Sequence, residues 1–298
     1  MNGKLISAEQ ASVSAFDPGF LYGETVFTTL GVRNAKACFL ERHLRRLLQM
    51  ASALCFPAPP HPDEIRIGVD SLLSSLFPEP PLLRITITPG HLSGFRLDQE
   101  VQGPSSWIIA PIFRPLLDSK LYKTGVSTEI SRIPAPSFRD PRSSLKTGNL
   151  LLSRWLRKTK PPSRFELLTK NANGRLLEGT VSNIFFLLRD KTVMTPPEKW
   201  GILPGVIRSA VIDILDRRGI PLRWGSLTSR TLHQAKGALL TNSYIGILPI
   251  QTVFGPSRSS GLSTGLSPEP LWESDGEQDL LSLLLSDLNS LEEEERID

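Results

Sequence analysis

The chain has 298 residues, 40% of them hydrophobic, and a formal net charge of +4. This length and composition are typical of a globular protein of two domains and exclude the fibrous and wholly disordered classes. No stretch approaches the roughly 18 consecutive apolar residues that a membrane span requires, so the sequence predicts a cytoplasmic protein without a membrane partner.

The charge is distributed unevenly along the chain. Residues 269–298 hold eleven acidic residues and one basic residue, Arg296, which leaves 33 basic and 19 acidic residues elsewhere, a net charge of +14. Such a body attracts anions, and we expect a small anionic substrate or a phosphorylated cofactor. Nucleic acid is not expected, because the basic residues are scattered and form no known binding motif. The two cysteines and four histidines have no metal-ligand spacing, so no metal site is expected.

The first part of the chain, residues 1–114, predicts a small α/β domain. Residues 39–54 are predicted to form an amphipathic helix, whose apolar face carries Leu44, Leu47, Leu48, Ala51 and Leu54. Arg46 lies on the side of this helix opposite the apolar face. This position alone indicates only an ordinary arginine exposed to solvent. A proline-rich stretch, a short helix and strands at 82–88 and 107–113 follow.

After a connection at residues 115–124, residues 125–254 predict a larger domain rich in sheet. A hairpin is predicted from strands at 165–169 and 175–188, and it continues into residues 192–195. A helix then runs from Val206 to a stop at Gly219, and strands at 221–224 and 238–242 enclose a short helix.

The remaining residues, 255–298, are predicted to form a flexible acidic tail. The tail begins rich in Ser, Gly and Pro. Further on, the spacing of four leucines predicts an amphipathic helix: Leu281, Leu284, Leu288 and Leu291.

Two side chains are candidates for chemistry. Lys146 directly precedes an apolar helix at 150–156, and an amine that can lose its proton forms Schiff bases with carbonyl groups. Glu178 lies within the predicted strand at 175–188, and a carboxylate facing a pyridine nitrogen keeps that nitrogen protonated, so that the ring accepts electrons. Each residue taken alone is better explained without function, as a surface lysine at a helix start and an edge-strand glutamate facing water.

The helix that follows Pro204 and Gly205 is a candidate phosphate site. Its first amides, from Val206 and Ile207, have no intrahelical partner and point toward any bound anion. Ser243, just beyond the strand at 238–242, could donate to the same phosphate. The alternative is an ordinary helix start after a Pro-Gly turn.

The order and spacing of these segments resemble the fold-type IV pyridoxal phosphate enzymes, the class IV aminotransferase family. This family includes branched-chain aminotransferase, D-amino acid aminotransferase and 4-amino-4-deoxychorismate lyase. The resemblance runs from about residue 14 to residue 250, through the segments FLYGETVF (20–27), ERHLRRL (41–47), SLKTGNL (144–150), EGTVSNIF (178–185), GILPGVIR (201–208) and LTNSYIGILPI (240–250).

The resemblance implies pyridoxal 5'-phosphate as the cofactor and assigns residues to it. Lys146 matches the Schiff-base lysine, Glu178 the partner of the pyridine nitrogen, and Arg46 the arginine that binds the phosphate.

The same resemblance assigns three further residues to the phosphate. Val206 and Ile207 match the helix-start amides, and Ser243 matches a family threonine or serine donor. Ile207 departs from the many relatives that carry threonine there, so a hydroxyl contact is lost while the amide remains. No segment after about residue 254 resembles the family.

The resemblance further implies an α+β, two-domain D-amino acid aminotransferase-like fold. A small N-terminal α/β domain would be joined to a larger C-terminal domain whose sheet curls into a pseudo-barrel. The cofactor is expected in the cleft between the domains, a common site for ligands. Relatives are homodimers, so a homodimer is expected.

Within the family, the sequence is more similar to the lyase, an enzyme of folate biosynthesis that makes 4-aminobenzoate and pyruvate. Phe27-Thr28-Thr29 resembles the lyase form of a segment that commonly contains glutamate in the aminotransferases. Asn149 follows Lys146 at a spacing similar to that of the lyases and D-amino acid enzymes but unlike that of the branched-chain enzymes. Residues 86–91 lack the Arg-x-His of D-amino acid aminotransferases. Tyr22 and Thr28 are the candidate substrate residues.

One loop does not fit the lyase, because residues 89–96 do not reproduce the Arg-Gly-rich loop of bacterial lyases. The alternative therefore stays open: an aminotransferase acting on branched-chain or D-amino acids with 2-oxoglutarate.

Overall fold

The computed structural model describes residues 1–135, 144–256, 269–276 and 278–297. The chain forms two compact units. Unit 1 comprises Met1–Leu116 together with Leu145–Leu150 and Glu295–Asp298, and unit 2 comprises Leu117–Ser144 and Leu151–Glu294. The units differ from the predicted domains in one respect that matters for function. The segment that contains Lys146 belongs to unit 1, although it lies within the range predicted for the larger domain.

Unit 1 is built on an antiparallel sheet with the strand order β2-β1-β3-β4. Its elements are α1 (Pro18–Tyr22), β1 (Val26–Arg33), β2 (Lys36–Ala37), α2 (Leu40–Ala53), α3 (Pro62–Ser75), β3 (Leu82–Thr88) and β4 (Ser106–Ile112). One face of β1, with Val26 and Leu30, shares a core with Leu44 and Leu47 of α2. The amphipathic helix predicted at 39–54 is confirmed, because its apolar stripe fills this core.

Unit 2 contains a larger mixed sheet, with the order β10-β9-β8-β11-β12-β5-β6-β7 and β13 paired to β12. Its strands are β5 (Val126–Ile130), β6 (Glu166–Lys170), β7 (Leu176–Gly179), β8 (Asn183–Leu188), β9 (Val193–Thr195), β10 (Leu222–Trp224), β11 (Ala235–Asn242), β12 (Gly246–Phe254) and β13 (Trp272–Glu273). Its helices include α4 (Leu121–Thr124), α5 (Leu151–Thr159) and α6 (Val206–Arg217).

The single strand predicted at 175–188 is wrong. Residues 180–182 interrupt it, so that β7 pairs with β6 whereas β8 pairs with β9 and β11. The turn is closed by a hydrogen bond of 2.7 Å from the Gly179 amide to the Ser182 carbonyl. The β-branched residues Thr180 and Val181 favour a strand, so the sequence does not mark the turn. As a result, Glu178 lies at the end of a strand, beside a tight turn.

The strand order requires the sheet of unit 2 to curl. β7 and β8 are five positions apart in the order, which in a flat sheet would separate them by about 24 Å. The chain from Gly179 to Asn183 can span at most about 15 Å. The sheet must therefore bend back until its β7 edge approaches β8, as the two strands are observed to do. This confirms the pseudo-barrel predicted for the larger domain.

The C-terminal segment differs from the flexible tail that the sequence predicted. α7 (Gln278–Ile297) buries the four leucines of the predicted amphipathic helix, Leu281, Leu284, Leu288 and Leu291. Two ion pairs hold its outer face, between Asp287 and Arg218 at 2.6 Å and between Glu294 and Arg217 at 2.8 Å. Residues 257–268, in the Ser-, Gly- and Pro-rich start of the predicted tail, lie outside the described residues. Neither α7 nor any other described helix is long and apolar enough to cross a membrane.

Candidate functional site

The segment that carries Lys146 is fixed to the start of β1 within unit 1. The Phe27 amide donates to the Lys146 carbonyl at 3.0 Å, and Thr147 forms an isolated antiparallel bridge with Val26. The Lys146 amide points to the Met50 sulfur at 3.1 Å. The backbone of Lys146 is thus held on both sides, by the sheet and by α2.

Two cationic side chains share the ring of Phe27. The Lys146 Nζ atom lies 4.8 Å from the ring centroid, and the Arg84 Cζ atom lies 3.6 Å from it. Arg84 stands opposite Thr29 in the register between β1 and β3, and burial lowers its pKa. An aromatic face stabilises cations at such distances. Sequence reasoning missed Phe27 and Arg84, because an arginine within a strand gives no signal until the strand pairing is known.

That Thr28 contacts substrate stays a prediction, and the structure places its side chain inside unit 1. Side chains alternate along a strand, and Thr28 lies on the same face of β1 as Val26 and Leu30. It is fully buried, at 0% exposure, under α2. Its hydroxyl accepts a hydrogen bond of 2.9 Å from the Arg46 Nη2 atom and lies 2.6 Å from the Nδ1 atom of His43. Thr28 therefore belongs with the predicted phosphate-binding arginine.

Tyr22, the second predicted substrate residue, lies at the end of α1 and is 40% exposed. Its hydroxyl donates a hydrogen bond of 2.7 Å to the carbonyl of Phe95. The Phe95 ring also lies 5.1 Å from that of Phe16. Tyr22 thus fastens the loop that contains Phe95, and its contact with substrate stays a prediction.

In unit 2, Glu178 is held by two hydrogen-bond donors. Its Oε2 atom accepts from the Asn183 side-chain amide at 3.0 Å and from the Leu203 backbone amide at 3.1 Å. Both bonds stabilise the negative charge of the carboxylate and fix its orientation. The Asn183 amide also donates to the Leu203 carbonyl at 2.9 Å. Asn183 therefore joins Glu178 to the segment that leads into α6.

A second glutamate, Glu166, holds the turn that follows Glu178. It is buried and accepts hydrogen bonds from the hydroxyls of Thr180 at 2.6 Å and Ser182 at 3.1 Å. Arg157 lies 3.2 Å away and offsets its charge. A Cβ atom on Gly179 would lie 2.8 Å from the Glu166 side chain and 2.2 Å from the Ser182 hydroxyl. The turn therefore requires glycine at 179, and Glu166 is a site-forming residue that the sequence did not reveal.

The start of α6 has the character of an anion site. The first helical bond runs from the Ser209 amide to the Gly205 carbonyl at 2.9 Å, which leaves the amides of Val206 and Ile207 without intrahelical partners. Gly205, at the N-cap, has no side chain to cap them. A Cβ atom there would lie only 2.0 Å from the Asn183 Oδ1 atom. The close approach of α6 to Asn183 thus depends on glycine.

Ser243 lies in the turn between β11 and β12, at the end of the sheet where Asn183 begins β8. The register pairs Thr241 with Asn183, and the Asn242 side chain donates to the Val181 carbonyl at 3.2 Å. The Thr241 hydroxyl is buried, and no described residue forms a hydrogen bond with it. A buried hydroxyl without a partner among the described residues is consistent with a site in which a polar ligand forms the missing hydrogen bond.

Arg208 is a further residue that the sequence reasoning missed. It lies in the first turn of α6 and is 1% exposed, with hydrogen bonds of 2.9 Å to both Glu198 and the Pro196 carbonyl. Burial lowers its pKa, and the charges of Glu198 and Glu178 oppose that shift. Arg208 thus contributes positive charge near both Glu178 and the anion-binding helix start.

The donors present fit pyridoxal phosphate. Each unit by itself carries groups suited to part of this cofactor: unit 1 contains the amine of Lys146 and the guanidinium of Arg46, and unit 2 contains the fixed carboxylate of Glu178 and the open amides of Val206 and Ile207. These groups match an aldehyde, a pyridine nitrogen and a phosphate. Among the described residues, no group of three or more His, Cys, Asp or Glu side chains could hold a metal ion.

Comparisons with known proteins agree with this chemistry. The chain is 28% identical over 259 residues to a putative branched-chain-amino-acid aminotransferase of Methanocaldococcus jannaschii, covering 86% of this chain and 87% of that protein. It is also 28% identical over 257 residues to an aminodeoxychorismate lyase of Bacillus subtilis, covering 85% of each.

The fold is also found in solved structures. A putative 4-amino-4-deoxychorismate lyase of Legionella pneumophila superposes with a TM-score of 0.80 at 21% identity, over 95% of this chain and 96% of that one. The family model of class IV amino-transferases matches residues 25–253. The chain therefore belongs to the class IV aminotransferases, a family of pyridoxal phosphate-dependent enzymes.

Proposed function

We propose that this chain is a lyase that converts 4-amino-4-deoxychorismate to 4-aminobenzoate and pyruvate, a reaction of folate biosynthesis. Thr28 carries the choice of the lyase over the aminotransferases. Residues 27–29 resemble the lyase form of this segment, and the Thr28 hydroxyl lies 2.9 Å from Arg46. A glutamate at this position, common in the aminotransferases, would place a carboxylate beside the same guanidinium.

The charge near Lys146 supports an anionic substrate. Aminodeoxychorismate carries two carboxylates, and Lys146 and Arg84 both bring a cationic group close to the ring of Phe27. We assign Arg84 to a carboxylate of the substrate, because a guanidinium can bind a carboxylate through two parallel hydrogen bonds.

In this reaction the Lys146 amine removes the proton from the ring carbon that bears the substrate's amino group. When bound, pyridoxal phosphate supplies an electron-accepting ring that stabilises the charge left on that carbon. Glu178 holds the proton on the pyridine nitrogen. The bond between the adjacent ring carbon and oxygen then breaks, its electrons leave with enolpyruvate, and the ring becomes aromatic. Lys146 returns a proton to the enolpyruvate carbon, which yields pyruvate.

The test is an assay of the purified, cofactor-loaded protein with aminodeoxychorismate. We expect 4-aminobenzoate, measured by its fluorescence, and pyruvate, measured with lactate dehydrogenase, in equal amounts. Lys146→Ala is expected to abolish both products, whereas Lys158→Ala, at an exposed lysine of α5, is the matched control and should retain them. Absence of both products from a fully loaded enzyme would reject the proposal.

The alternative is an aminotransferase for branched-chain or D-amino acids, and the Methanocaldococcus relative favours it, with identity and coverage similar to those of the lyase relative. The same preparation is therefore incubated with a panel of L- and D-amino acids and 2-oxoglutarate. Glutamate formation without 4-aminobenzoate would select this function. The homodimer expected for the family is also part of the proposal and is measured by light scattering of the same sample.

A further inference from the structure

Thr28 lies on the face of β1 that packs against α2. The side chains on this face, Val26, Leu30 and Val32, are buried in the core of unit 1. Thr28 is 0% exposed and is the polar residue among them. A buried hydroxyl is costly unless both its hydrogen and its oxygen find partners. The partners of Thr28 therefore indicate why a polar side chain occupies this position.

The hydrogen bonds of Thr28 have a defined direction. A guanidinium can only donate, so the Arg46 Nη2 atom donates to the Thr28 oxygen at 2.9 Å. The hydroxyl's own hydrogen then has an acceptor in the Nδ1 atom of His43, at 2.6 Å. This arrangement places the hydrogen of neutral His43 on Nε2. A directed chain thus runs from Arg46 through Thr28 to His43.

The charges of the three residues are consistent with this chain. Burial lowers the pKa of His43 well below its usual value, and the positive charges of Arg46 and Lys146 lower it further. Burial also lowers the pKa of Arg46, to about 10, so its guanidinium stays charged at neutral pH. Neutral His43 remains an acceptor, and the chain carries one positive charge.

We propose that Thr28 and His43 are positioning residues, which orient the Arg46 guanidinium toward the cofactor phosphate without neutralising it. The hydroxyl fixes the direction of one N–H group and leaves the charge in place. This inference rests on the proposed function only in taking Arg46 as the phosphate ligand.

The test compares two ligands that differ only in the phosphate. The dissociation constants of pyridoxal 5'-phosphate and of pyridoxal are measured by absorbance titration of the full-length, cofactor-free chain. In Thr28→Val, which removes the hydroxyl, we expect pyridoxal phosphate to bind about tenfold more weakly, the equivalent of one hydrogen bond to a charged group. Pyridoxal should bind within about twofold of the wild-type value, and Thr28→Ser should restore phosphate binding.

Two controls separate positioning from loss of stability. Thr88→Val removes another buried hydroxyl of unit 1, which donates to Asp17 at 2.7 Å, and should leave the ratio of the two dissociation constants unchanged. In an Arg46→Ala background, Thr28→Val should have no further effect on that ratio. If Thr28→Val does not fold, His43→Leu is measured instead and should shift the ratio in the same direction by about threefold.

The inference fails if Thr28→Val weakens both ligands equally or keeps its full effect without Arg46. It is distinguishable from the proposed reaction, because binding is measured without substrate. A shifted ratio in a protein that makes no 4-aminobenzoate would support the positioning role while rejecting the lyase. An unshifted ratio in an active lyase would do the reverse.

Discussion

The two units hold their functional groups in different ways. In unit 1, Lys146 is fixed through its backbone, Arg46 donates a hydrogen bond to the Thr28 hydroxyl, and both are cations. In unit 2, Glu178 is fixed by a network of side-chain hydrogen bonds that extends to the start of α6. Backbone pairing tolerates side-chain changes around it, whereas a polar network depends on every member. Unit 2 should therefore be the more sensitive to conservative substitutions away from the reacting atoms.

The largest effect is expected from Glu178→Gln. The substitution keeps the shape of the side chain but removes the charge that would hold a proton on the pyridine nitrogen. We expect kcat to fall by about 100-fold to 1,000-fold, within the range for acid–base groups. Steady-state kinetics and the absorption spectrum of the bound cofactor measure it. Glu273→Gln, at an exposed glutamate of β13, should change neither, and a similar loss in that control would contradict the assignment.

Gly205→Ala tests the link between Asn183 and α6. The backbone of Gly205 is extended, at φ −69°, so alanine is strained only by the contact of its Cβ with the Asn183 Oδ1 atom, at 2.0 Å. Asn183 must move, and we expect pyridoxal phosphate to bind about tenfold more weakly. Gly94→Ala, where a Cβ meets no atom closer than 3.5 Å, is the control. Unchanged affinity would mean that the helix start tolerates the shift.

Glu166→Gln tests whether the polar network extends beyond Glu178. Loss of the charge weakens the bonds from Thr180, Ser182 and Arg157, and we expect the free energy of unfolding to fall by about 1–3 kcal/mol. Because the turn also places Glu178, the absorption maximum of bound cofactor should shift. Glu129→Gln, at another buried glutamate of unit 2, should lower stability without that shift. If the two variants show the same absorption maximum of bound cofactor, the role of Glu166 is structural only.

The smallest expected effect is a pH dependence of the free energy of unfolding, caused by His43 of unit 1. Because burial lowers the pKa of His43 in the folded state, the unfolded state binds more protons below pH 6.5. Stability should therefore fall as pH drops below about 6.5, by up to about 1.4 kcal/mol per pH unit from this group. Denaturant unfolding at pH 7.5, 6.5 and 5.5 measures it. His43→Leu should flatten the dependence over this range, and an unchanged slope would show that other groups cause it.

Several elements were predictable because local patterns specify them. The apolar spacing of residues 39–54 predicted α2, and Gly219 correctly marked the end of the helix that begins at Val206. The strand at 82–88 matches β3 residue for residue. The turn at 180–182 was not predictable, since a buried glutamate 14 residues from Thr180 in the sequence holds it. The burial of Thr28 was not predictable either, because the sequence did not show which face of β1 meets α2.

The sequence by itself determined the family and the residue types of the site, because an amine, a carboxylate and an open helix start recur there in a fixed order. Only the tertiary structure decided how those groups are held. Strand pairing placed Arg84 over the ring of Phe27, which Lys146 also approaches, and the alternation of β1 turned Thr28 toward Arg46 and His43. Such contacts join residues far apart in the chain. Their geometry follows from register and packing, which no local pattern specifies.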